Sequence, residues 1–78
     1  MDELLNQIDY FLNSKKYLLF DSIINERLFF KSLRYKNGNK EIKIINIYKN
    51  LNVEISDSNF SLNKDIKNLN ELKSLISS

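Results

Sequence analysis

Cysteine, histidine and proline are absent from this 78-residue chain, and glycine occurs once, as Gly38. Without cysteine there are no disulfide staples, no thiolate metal sites and no thiol nucleophile. Without histidine the commonest general base and the commonest metal ligand are both missing, which leaves carboxylates, lysines, tyrosines and hydroxyls for any chemistry. The expectation is a protein that is not an enzyme and that carries neither a metal nor a cofactor. No stretch approaches the ~18 apolar residues of a membrane-spanning helix. The start of the chain, with Asp2 and Glu3, lacks the basic-then-apolar pattern of an export signal. A cytoplasmic location without membrane contact is therefore expected.

What is present bounds the answer further. A chain of 78 residues has room for one core, so residues 1–78 read as a single domain. So small a core leaves a net stability near the ~5 kcal/mol low end of natural domains. Twelve basic and ten acidic residues mix along the chain to a net charge of +2, with no block of like charges. Lys15-Lys16 and the stretch from Arg34 to Lys40 read as solvated surface, so no nucleic-acid partner is expected. A monomer is expected.

Leu4, Ile8, Phe11 and Leu12 fall at i, i+4, i+7 and i+8 after a capping Asp2, which predicts a helix over about residues 3–14. Residues 15–36 are apolar in places but without a sustained period, and read as a long loop with a short helical turn near 26–33. Two templates compete for the segment from Gly38 to Leu51. Asn37-Gly38 is a strong signal for a hairpin turn. As a helix, Ile44, Ile47, Tyr48 and Leu51 satisfy i, i+3, i+4 and i+7; as a strand, neither face is free of mixing. The helix fits better. The run Ser56-Asp57-Ser58-Asn59 predicts a turn, with a short third helix after it. Asn68 with Glu71 three positions on predicts a capped last helix whose face carries Leu69, Leu72, Leu75 and Ile76.

This order, together with Leu51-Asn52-Val53-Glu54-Ile55, the acidic turn, Phe60 and Leu62, resembles the acyl carrier protein family. The resemblance implies an all-α, acyl-carrier-protein-like four-helix bundle with a long first loop, with Ile23, Phe29, Leu33 and Ile45 in the core. In that family an Asp-Ser-Leu motif at the start of the second helix carries 4′-phosphopantetheine. Here Lys36-Asn37-Gly38 stands in its place, and the amide of Asn37 has no hydroxyl to form the phosphodiester. Ser32 and Ser22 imitate the motif but lie out of register. The resemblance therefore implies a divergent carrier-like protein that has lost the prosthetic group and works through protein contacts, with a biosynthetic enzyme as partner. The same resemblance places that contact on residues 36–49. Lys36, Lys40, Lys43 and Lys49 would select an acidic partner, and Ile42 or Tyr48 would supply an apolar anchor. Two other readings stand beside it. One is a small α/β inhibitor or immunity-type binder built on an Asn37-Gly38 hairpin with strands near 28–35 and 41–48. The other is an active carrier modified at Ser22 or Ser32.

Overall fold

A computed structural model describes residues 2–25, 30–47 and 50–77. The elements run α1 (Asp2–Ser14), β1 (Leu18–Asn25), β2 (Phe30–Asn37), β3 (Lys40–Ile45), β4 (Leu51–Ser56), β5 (Ser61–Ile66) and α2 (Leu69–Ser77). The strands form one five-stranded sheet in the order β1-β2-β3-β4-β5, antiparallel at every step. The all-α four-helix bundle with a long first loop is thus overturned, and with it the carrier-like architecture. The fold is α/β: a sheet with two short helices over one face.

Period two, not 3.6, governs the middle of the chain. In Leu51-Asn52-Val53-Glu54-Ile55-Ser56 the apolar members are all buried and the polar members half-buried, the alternation of a strand with one face on the core. The segment that matches a helix template divides for a local reason. Ile42 and Ile44 point inward and Lys43 and Ile45 outward, but Asn46 turns the backbone into the left-handed region at φ 54° and ends the strand. Ile47 then re-enters the core from a new direction. The alternation is clean only if counting stops at Ile45. Asn46 can adopt this conformation because asparagine tolerates it better than most side chains.

The hairpin signalled by Asn37-Gly38 forms one position later than that dipeptide would centre it. Asn37 pairs with Lys40, leaving Gly38 and Asn39 as a two-residue connection, with Gly38 at φ +61°. Glycine at the first central position with positive φ is what a type II′ turn requires. Residues 18–25 and 30–36, expected as loop, are the paired strands β1 and β2. A bulge between Leu19 and Asp21 shifts the register of β1 and hides its alternation. The expected turn at Ser56 to Asn59 forms around Asp57, whose Oδ1 accepts from the backbone N–H groups of Asn59 (2.7 Å) and Phe60 (3.0 Å). The chain leaves this turn as strand β5, not as a third helix.

Both end helices are where the pattern placed them. Ile8 and Leu12 of α1 and Leu72 of α2 are fully buried, with Leu4, Leu5, Phe11, Leu69, Leu75 and Ile76 packed around them. Asn68 Oδ1 accepts from the Glu71 N–H at 3.1 Å, and Glu71 Oε2 accepts from the Lys67 N–H at 2.9 Å, a reciprocal cap at the start of α2. The core lies between these helices and the inner sheet face of Leu33, Tyr35, Ile42, Ile44, Leu51, Val53, Ile55 and Ile66. Phe29 lies outside the described residues, and Ile45 is half-buried on the opposite face. Among the described residues no helix is long and apolar enough to cross a membrane.

Candidate interaction surface

The sheet has one covered face and one open face, and the strand pairing assigns each side chain to one of them. Cross-strand neighbours point the same way. On the open face Asp21, Arg34, Lys43, Glu54 and Asn63 form one row across all five strands. Arg34 is held within it. Its Nε and Nη2 both donate to Glu41 Oε1 at 2.9 Å, Asp21 lies 3.7 Å away, and the guanidinium stacks 5.0 Å from the centre of the Phe20 ring. With two carboxylates already on it, this cation is no anion receptor. Next to this row Asn52 Nδ2 donates to Asn63 Oδ1 (2.6 Å) and Asp65 Oδ1 (2.8 Å), a polar ladder linking β4 to β5.

The residues singled out for partner binding do not share a surface. Ile42 is fully buried in the core, and Lys43, its neighbour, lies on the open face. Lys36 is exposed on the open face opposite Glu41, whereas Lys40 starts β3 on the side of Ile42. Residues that a helix would have gathered on one side are dealt to both sides by a strand. Tyr48 and Lys49 lie outside the described residues. Asn37 closes the hairpin, and its Nδ2 donates to the Lys15 carbonyl at 3.0 Å, fastening the β2–β3 turn to the end of α1. That is a structural use of the amide.

Among the described residues there is no group of three acidic side chains placed to hold a metal ion. A groove of about 560 Å³ runs between the helices, past Tyr10, Phe11, Leu69 and Lys73. It is open to solvent, and on its wall the Lys73 ammonium lies 5.5 Å from the centre of the Phe11 ring, which Lys15 also approaches at 5.9 Å.

The unusual feature lies at the sheet margin, in a stretch whose periodicity suggests only loop. β1 is an edge strand, and Leu18, Leu19, Phe20, Ile23 and Ile24 on it are all exposed, Leu18 to 69% and Ile24 to 63%. Tyr35 on β2 is buried with its hydroxyl on Asp9 of α1, whereas Leu19 and Ile24 on the inner side of β1 are 47% and 63% exposed. The other edge is built differently. β5 presents Lys64 on the inner side beside Leu62, which is 40% exposed, and Asn63 and Asp65 on the outer, so its apolar exposure is smaller and broken by charges and amides that discourage pairing with another chain. The signal for β1 is a run of leucine, phenylalanine and isoleucine next to a hairpin, but the bulge at Phe20 breaks its period. Comparison with protein-family models, with curated proteins and with solved structures finds no match, so the functional reading rests on this chain's own residues.

Proposed function

We propose that this chain is a non-enzymatic protein-binding module of the cytoplasm that takes up its partner along the free edge of β1. The observation that carries this is the contrast between the two margins of the sheet. Edge strands expose unpaired N–H and C=O groups and are normally blunted with charge. β5 is blunted in that way, whereas the described part of β1 carries a single charge, Asp21, and that carboxylate is drawn to Arg34. Five large apolar side chains are exposed along this one edge strand, on both of its faces, more apolar exposure than single scattered surface residues give. Strand addition uses both parts of such an edge: the backbone supplies affinity, and alternate side chains supply specificity.

The experiment is a photo-reactive residue placed at Ile23 on β1 or at Asn63 on β5, in the native host. The expected result is crosslinking from position 23 alone, to a protein that then forms a complex with the purified chain and protects the amides of β1 from exchange. Equal crosslinking from both positions, or protection confined to the helices, rejects the reading.

A further inference from the structure

We infer that the occupant of the β1 edge is a strand with an apolar centre and acidic residues at its ends, supplied by a different protein rather than by a second copy of this chain. The inference rests on the reading of β1 as a docking edge and specifies what docks.

The charge of the chain is unevenly placed. Residues 15–37, which include β1 and β2, hold six of the twelve basic residues but only two of the ten acidic ones. The remainder is net negative. Within that stretch Arg34 is already engaged by Glu41 and Asp21, so it offers no charge to a newcomer, and Lys15 lies over the Phe11 ring of α1. Three further lysines bracket the apolar strip. Lys16 sits in the turn that leads into β1, Lys36 stands opposite Leu18 at the start of the strand, and Lys31 stands opposite Ile24 near its far end. Among the described residues none of the three has an ion-pair partner. An incoming strand therefore meets apolar side chains in the middle and positive charge at both ends. Aspartate or glutamate at its ends would complement that field, and lysine or arginine there would be repelled.

The same pattern disfavours self-association. A second copy pairing through β1 would bring its own Lys16, not an acidic residue, at the start of the incoming strand. The bulge between Leu19 and Asp21 leaves Asp21–Asn25 as the regularly paired stretch of β1 against which a guest strand would align. That stretch of five residues keeps Ile23 and Ile24 on opposite faces, so the guest strand should be apolar on both sides at its centre.

The test uses the isotope-labelled chain and two synthetic peptides of one length. Both have a central run of valine; one ends in paired aspartates and the other in paired lysines. The acid-ended peptide is expected to shift and protect the amides of residues 21–25, to bind about tenfold more tightly than the lysine-ended one, and to weaken severalfold as salt is raised. In the double variant Lys31→Glu, Lys36→Glu, checked for its native spectrum, the preference should reverse. Equal affinity of the two peptides at β1 overturns the acidic partner but leaves the docking edge standing. Protection elsewhere, or none with either peptide, overturns the docking edge as well. A concentration-dependent dimer with β1 protected names a second copy as occupant. Binding of phosphatidylglycerol vesicles through β1 in preference to peptide names a membrane surface. Either of these last two results overturns the inference.

Discussion

The Tyr35 hydroxyl donates a 2.6 Å hydrogen bond to Asp9 Oδ1 across 26 positions of sequence, joining the middle of β2 to the middle of α1. Tyr35 is almost wholly buried, and its ring fills the core beneath the helix while its oxygen reaches the half-buried carboxylate. Hydrogen bonds to charged groups are the stronger kind, so Tyr35→Phe should lower stability by about 1.5–3 kcal/mol in urea unfolding, with the ring's packing retained. Loss of less than about 0.5 kcal/mol would show that the contact is not made in solution.

The same contact predicts a pH dependence. Burial, then the hydrogen bond to Asp9, then the Asp9 charge raise the Tyr35 phenol well above its ordinary value of 10.0. The folded state therefore keeps this proton when the unfolded chain has lost it. The stabilisation is complete below pH 10 and drains away as the pH climbs from there towards the raised folded value. Unfolding curves at pH 8 to 11 should show stability falling above pH 10, and Tyr35→Phe should show a shallower fall.

Adjacent isoleucines distinguish the strand from the helix expected of this segment. Ile44 is fully buried and Ile45 half-buried on the open face. Ile44→Ala should cost about 2–5 kcal/mol, the usual range for emptying a buried aliphatic site, and can unfold so small a domain. Ile45→Ala should cost less than about 1.5 kcal/mol. The reverse order, measured by thermal or urea unfolding, would mean that the faces of β3 are misassigned.

How far the fold is legible in the sequence depends on which periods are interrupted. α1 and α2 are uninterrupted, so Ile8, Leu12 and Leu72 and the Asn68–Glu71 cap can be found from spacing alone. β4 is a strict alternation, yet its Leu51-Asn52-Val53-Glu54-Ile55 also matches a carrier-family signature, and weighing that wording above its period misplaces it. β3 is masked by Asn46, whose left-handed turn lets Ile47 look like the next residue of a helix face. β1 is masked by its bulge, and the candidate surface with it. Irregular backbone, rather than ambiguous composition, is what conceals the sheet.

Gly38 tests the hairpin directly. A Cβ built at this position has nothing within 4 Å, so a side chain there meets no obstacle and the only cost is the backbone conformation. Gly38→Ala should destabilise by about 1–2 kcal/mol, the penalty for a left-handed L-residue, whereas an unstrained site would gain from the substitution. Increased stability in thermal melts would place Gly38 outside the left-handed region.

The meander order has a consequence for how the chain reaches this state. Every strand pairs with its neighbour in sequence, so each pairing closes only a short loop and the sheet can zip locally. The cover over that sheet comes from the two outlying elements, α1 and α2, with five strands between them. Helices of 13 and 9 residues are too short to persist alone in water. Until Leu72 arrives, the inner face has no complete lid, and Ile42, Ile44, Val53 and Ile55 stay open to any other apolar surface nearby. A chain that has paired its strands but not yet docked α2 thus displays a sticky sheet face, and its hazard is greatest just before that helix docks.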